Sequence, residues 1–311
     1  MFSILNVVAP VFALMAVGYA AVRLKLFPAE GVKFLVAFVN NFATPCLLFQ
    51  SMVSVDFRSA FNLSIIGPFY LGALFSLLAG TIIAIKLFRN RPGEGVSSGF
   101  AATFSNTVLV GLPILSRAYG EDALPVAFSI IGLHGAILLT VGMLTMELVR
   151  RDGASLGATL VVALRRIASN PLIWGIGAGL LGNFLGLSLA EPVDAFFTMM
   201  ASAVVPAALF GIGGALNEYR LVDNWPLALA MAVLKLIIHP LIAYALMVPL
   251  LQVDIGIARY GILLAAMPSG INAYVFATYY NRGVNVATNT VLITTVGSAI
   301  TVSIWLYLLS L

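Results

Sequence analysis

The chain has 311 residues, 61% hydrophobic and 9% charged, with a mean hydropathy of +1.06. Soluble domains carry about 25% charged residues, so a soluble enzyme or binding module is excluded and an integral membrane protein is indicated. The net charge of +4 does not point to nucleic acid, because the basic residues form short clusters between apolar runs, as charges that set membrane orientation do.

Ten apolar runs follow in chain order, each close to the about 20 residues that cross a roughly 30 Å hydrocarbon core. They cover 4–24, 32–53, 63–88, 97–117, 123–149, 169–189, 194–217, 225–250, 256–280 and 285–310. The first has no basic residue ahead of it, and Arg23 and Lys25 follow it; this is a retained span with its N-terminus outside rather than a secretory signal. Inner segments then hold Arg23, Lys25, Lys33, Lys86, Arg89, Arg91, Arg150, Arg151, Arg165, Arg166, Arg220 and Arg282, twelve of the 16 basic residues. Outer segments hold Arg58, Arg117 and Arg259, with the acidic Asp56, Glu121, Asp122, Glu191, Asp194 and Asp254. This bias predicts a multi-pass protein of the inner (plasma) membrane with both termini outside. The sizeable connector from Arg150 to Ser169 is amphipathic enough to lie in the interface or to prolong the next helix.

Two copies of one pattern are offset by 161 residues. Pro10 and Pro171, Gly18 and Gly179, Pro45 and Pro206, Leu48 and Leu209, Phe49 and Phe210, and Tyr119 and Tyr280 coincide without a gap. Residues 1–150 and 151–311 thus read as two repeats of five spans. An odd number inverts the second copy, so the expected fold is an all-α membrane protein of ten transmembrane helices in two inverted five-helix repeats, an architecture of secondary transporters.

The fourth and ninth runs contain sequence that a straight helix would not choose. FAATFSNTVLVGLPIL has Asn106 and Thr107 ahead of Gly111 and Pro113, and LLAAMPSGINAYVFA has Pro268, Ser269, Gly270 and Asn272. Proline removes a backbone donor and crowds the preceding turn, and the freed groups need partners away from lipid. Breaks are therefore expected at Gly111 and Pro113 and at Pro268 and Gly270. Matched interruptions in two halves mark a binding site near the midplane, where half-helix N-termini favour anions. No intramembrane carboxylate pair, HExxH or phosphate-binding loop occurs, and the lone Cys46 excludes an intrachain disulfide. No enzyme, cofactor or metal is expected.

FVNNFATPCLLF, SNTVLVGLP, SNPLIWGI, KLIIHP and MPSGINAYVFA together resemble the auxin efflux carrier family in its bacterial branch, over essentially the whole chain. The resemblance implies the bile acid:sodium symporter-like fold, with a scaffold of helices 1, 2, 6 and 7 and a moving core of helices 3–5 and 8–10. Broken helices 4 and 9 would cross beside the substrate, a small organic anion such as malonate, malate or an indole carboxylate. Carried onto this chain, it makes Asn106, Pro268, Ser269, Gly270 and Asn272 substrate contacts, with Thr107 as a neighbour. The long central loop of the plant exporters is missing here, which tells against auxin itself. Transport would be secondary active, by elevator-type alternating access driven by protons or membrane potential. A sodium-coupled organic anion symporter is the alternative, and a channel or sensor the third reading.

Lys235 lies inside a span, where a charge costs roughly 2.5–3.5 kcal/mol on insertion scales, with His239 one turn away on the same face. These two are candidates for coupling or charge compensation, against simple pairing with carbonyls. His134 reads either as a packed residue donating to a carbonyl or as a proton carrier. Asn40 and Asn41 are adjacent and so cannot share a helix face; one is expected to look across the substrate path and the other to pack. Gly175, Gly179, Gly182 and Gly186 form a small-residue face, for scaffold packing first and a homodimer second.

Overall fold

A computed structural model describes residues 2–54, 61–150, 168–218 and 224–310, with Gly157, Val161, Leu164 and Arg165 singly in between. Most of the predicted amphipathic connector, and the orientation residues Asp56, Arg58, Arg151, Arg166 and Arg220, lie outside the described residues.

Among the described residues all regular structure is helical. We number α1 (Phe2–Arg23), α2 (Ala29–Val53), α3 (Leu63–Leu87), α4 (Pro92–Ala101), α5 (Thr107–Tyr119), α6 (Leu124–Arg150) and α7 (Pro171–Phe184). There follow α8 (Glu191–Ala215), α9 (Trp225–Leu250), α10 (Ile255–Ala265), α11 (Asn272–Tyr280) and α12 (Val284–Leu308). Seven of these, α1, α2, α3, α6, α8, α9 and α12, are long and apolar enough to cross a membrane, and α5, α7 and α10 are shorter apolar helices. Large apolar side chains such as Leu26, Phe34, Trp174 and Phe184 point outward, more than two-thirds exposed. A soluble protein would not present so many, and a bilayer accounts for them.

The run predicted at 169–189 closes early as a helix of 14 residues. Gly186 adopts φ 65°, and Leu187 N–H donates to Gly182 O at 2.8 Å, a left-handed C-cap that glycine accepts without steric cost. Runs 97–117 and 256–280 each resolve into two helices, interrupted at 102–106 and 266–271. The first interruption thus precedes Gly111 and Pro113, and neither residue is the break. Both lie inside α5, where Thr107–Gly111 forms a widened turn two residues ahead of Pro113.

The same local solution recurs. Widened turns at Val39–Ala43 and Leu234–Ile238 end two residues before Pro45 and Pro240. A proline within a helix cannot donate to the carbonyl four residues back and collides with it. Shifting the preceding hydrogen bonds to i−5 relieves that conflict, and such bulges recur at functional sites.

Packing falls into two sets. Helix α1 lies on α8, and α2 on α7 and α8, whereas α3 packs on α4 and α9, α4 on α6, and α12 on α9 and α11. Glycine sets the closest approaches in the first set: a Cβ on Gly175 would meet the Pro45 backbone, and one on Gly179 the Phe49 backbone. The predicted small-residue face of α7 is therefore spent within the chain, against α2. Its fourth member, Gly186, is the C-cap instead.

Candidate functional site

The two interruptions cross. Ser105 pairs with Ser269 in an isolated antiparallel bridge, in which Asn106 N–H donates to Pro268 O at 2.7 Å and Gly270 N–H to Phe104 O at 2.8 Å. The pairing joins positions 164 residues apart in the chain (269 − 105). In this pattern the N–H groups of Ser105 and Ser269 point away from the partner strand, and each finds a side chain instead. His134 Nε2 on α6 accepts from Ser105 N–H at 3.1 Å, and Thr294 Oγ1 on α12 accepts from Ser269 N–H at 3.0 Å. Unpaired backbone groups at this depth would cost several kcal/mol each; these four are satisfied without water.

Helix ends abut the crossover. Ser269 Oγ donates to Ala101 O, the last residue of α4, at 2.6 Å. Lys235 Nζ donates to Ala265 O, the last residue of α10, at 2.6 Å. Lys235 is fully buried and its ammonium also lies 3.3 Å from His239 Nδ1. His239 Nε2 stands 3.0 Å from Phe69 O, and a carbonyl only accepts, so the ring proton is on Nε2 and Nδ1 accepts from Lys235. A cation at a helix C-terminus meets the negative end of the helix dipole, and this one closes the carbonyl row just before the break.

Beside the crossover lies a cavity of about 330 Å³, lined from five directions. The widened turn of α2 supplies Asn40 and Asn41, the first break Ser105 and Asn106, α6 His134 and Gly135, the start of α7 Ser169 and Asn170, and the second break Gly270 with Asn272 of α11. Thr107, buried, completes the start of α5. Among the described residues that line it, none is Asp, Glu, Lys or Arg. Three helices, α5, α7 and α11, thus begin at one uncharged polar cavity. Asn106 caps α5 by accepting from Leu109 N–H at 3.2 Å, and Asn170 caps α7 by accepting from Leu172 N–H at 3.0 Å, which leaves both amide NH2 groups as donors. Helix N-termini with donor side chains attract anions.

A second cavity of about 590 Å³ shares Asn40, Asn41, Ile271 and Asn272 with the first and runs to Lys33 and Glu218, whose exposed side chains pair at 3.4 Å. A third, of about 1130 Å³, lies at the other end of α2, where Gln50 bridges to Asp194 and Thr198 at 2.7 and 2.8 Å. The buried apolar cluster Val39, Ala43, Leu109, Val204 and Ala208 reaches from Leu109 on the small cavity to Val204 on the large one.

Of the residues singled out from sequence, Asn106, Thr107, Gly270, Asn272, Asn40, Asn41 and His134 line the crossover cavity. Pro268 and Ser269 do not; they build the crossover itself. Lys235 and His239 also lie off the cavity wall, buried beside α10. Asn40 and Asn41 both line the cavity although adjacent, and both lie in the widened turn Val39–Ala43. His134 accepts from a backbone N–H through Nε2 instead of donating to a carbonyl there. Ser105 and Asn170 were missed, although Ser169-Asn170-Pro171 is a legible N-cap followed by a first-turn proline.

Comparison with known proteins decides the family: a model described as "Membrane transport protein" matches residues 3–306. The chain belongs to this membrane transport family, that of the auxin efflux carriers. This family member is 33% identical over 326 residues to the "Putative malonate transporter" of Rhizobium meliloti, covering 99% of this chain and 97% of that one. It is 23% identical to "Auxin efflux carrier component 8" of Arabidopsis thaliana over 90% of each chain. It is also 26% identical to the "Lysosomal cholesterol signaling protein" of Mus musculus, over 95% of this chain and 36% of the larger protein. Membership in the family makes this chain a multi-pass membrane protein and agrees with the outward apolar surface of the seven long helices.

Proposed function

We propose that the protein is a secondary-active transporter that moves a small carboxylate across the plasma membrane by elevator-type alternating access. One observation carries this reading: an uncharged polar cavity at the crossing of two interrupted helices, with the N-termini of α5, α7 and α11 around it. Partial positive charge from helix ends and amide donors holds an anion without a fixed cation, so release is not opposed by a tight ion pair. The kinship to a protein named for malonate supports a dicarboxylate.

In this reading α4 with α5, and α10 with α11, are the fourth and ninth of ten crossings in two inverted five-helix repeats, residues 1–150 and 151–311. The set α1, α2, α7 and α8 is the scaffold and the remainder the moving core. The cavity continues toward Lys33 and Glu218, while the Val39–Leu109–Val204 cluster closes the other side, an arrangement suited to an inward-facing state. Protons or the membrane potential supply the driving force.

Purified protein in liposomes is expected to take up malonate or succinate saturably. Asn106→Ala and Asn272→Ala are each expected to lower uptake about tenfold, the effect of roughly 1.4 kcal/mol. Normal transport by both variants would remove the proposed site. Varying sodium, pH and voltage independently identifies the coupling, with uptake unchanged on replacing sodium as the expected result. Topology has its own check: a reporter fused after Ser310 is expected outside the cell, and a cytoplasmic signal refutes the two-repeat orientation.

A further inference from the structure

The imidazole of His134 is held by one ring nitrogen and idle at the other. Its Nε2 accepts from the Ser105 N–H of the crossover, so in this geometry the ring is neutral and its proton sits on Nδ1. That Nδ1–H is buried and has no hydrogen-bond partner among the described residues, and the neighbouring Ser105 Oγ is in the same position. Both residues line the crossover cavity and are 3% and 1% exposed. Rings of Phe104, Phe69 and Tyr70 stand 4.6, 5.7 and 6.2 Å from the imidazole centroid, and fix its orientation. Buried polar groups are paired in all but a few cases, so two orphaned donors on one wall of a cavity ringed by helix N-termini ask for an acceptor.

We propose that His134 Nδ1–H and Ser105 Oγ–H together receive one carboxylate oxygen of the ligand, making His134 the residue that couples ligand occupancy to the crossover. The inference rests on the transport reading above and deepens it. Neither atom is open to solvent in this state, so the ligand reaches them by a small displacement of the cavity wall. Because the other ring nitrogen holds the backbone of the break, any ring movement on binding is transmitted to the Ser105–Ser269 pairing. A neutral donor suits an anion that must later leave, since it adds no ionic contact.

The chain holds only two histidines, and their geometry demands opposite tautomers: Nδ1–H for His134 and Nε2–H for His239. Nitrogen-15 NMR of histidine-labelled protein in nanodiscs therefore gives two distinguishable sets of ring signals, assigned by their loss in His134→Gln. Malonate and succinate are expected to shift the His134 Nδ1 resonance saturably and leave His239 unmoved. His134→Phe is expected to weaken malonate binding at least about tenfold. His134→Gln restores most of it, because its carbonyl accepts from Ser105 and its amide donates to the ligand. Calorimetric binding of malonate with an unmoved His134 signal, or an Nε2–H tautomer at His134, overturns the proposal and leaves the transport reading standing. Absence of any binding or uptake of the carboxylates overturns both.

Discussion

Replacing Gly213 by valine is expected to lower stability by roughly 3 kcal/mol, at the upper end of what overpacking usually costs. A Cβ at Gly213 would run into the carbonyl oxygen of Met15, and one at Gly18 into that of Phe210. Each of α1 and α8 therefore offers a glycine to the backbone of the other, and neither contact has a flexible side chain that could yield. In a membrane there is no hydrophobic drive to compensate for a lost fit, because lipid tails are as apolar as the side chains; close backbone approach is what holds such helices together. The control is Gly177→Ala on α7. A Cβ there meets nothing within 4 Å, so the helix gains roughly 0.5–1 kcal/mol of propensity. Thermal unfolding midpoints in detergent should move in opposite directions for the two variants, and a neutral Gly213→Val would refute the close α1–α8 packing.

Lys235→Ala is expected to cost still more, about 4 kcal/mol, and to abolish uptake. Three effects act together. The truncated stem leaves a cavity in a fully buried position, a change that costs about 2–5 kcal/mol for side chains of this length. Ala265 O and His239 Nδ1 lose their donor, at about 1–3 kcal/mol for each buried acceptor left unmatched. Against these stands the relief of no longer burying an ammonium whose two partners are neutral, which offsets part of the loss. Lys235→Met separates the contributions: it keeps the volume of the stem and removes only the charge and the donors. It is expected to unfold within about 2 kcal/mol of the parent yet to transport poorly, because the last carbonyl of α10 is then unheld at the break. If Lys235→Met transported at the parental rate, the ammonium would be dispensable and its hydrogen bond to Ala265 incidental.

Much of the candidate site was legible before any coordinates. Asn106, Gly270 and Asn272 stand out because polar and glycine residues inside an apolar run are expensive unless something uses them. Pro45, Pro113 and Pro240 each stand two residues after a widened turn, and the adjacent Asn40 and Asn41, which helical periodicity places on different faces, both line the cavity from such a turn. Gly111 and Pro113 drew the predicted break downstream. Pro113 lies in the second turn of α5, where the widened turn Thr107–Gly111 accommodates it, and that placement depended on where Asn106 capped the chain. Ser105 and Asn170 carry no periodic signal, and their importance comes from residues far along the chain, Ser269 and Gly135, that the fold brings beside them.

Composition and the spacing of Lys and Arg were enough, without coordinates, to establish a membrane protein of many spans, because lipid admits so few charges and only closed hydrogen-bond patterns. Asn, Gly and Pro residues within the apolar runs marked two interrupted spans as special. Which atoms those interruptions join was decided by tertiary structure alone. The 164-residue pairing of Ser105 with Ser269, the tautomer of His134 and the hold of Lys235 on Ala265 are each set by the direction of a single hydrogen bond. Direction is a property of packed geometry that a linear pattern of residue types does not contain.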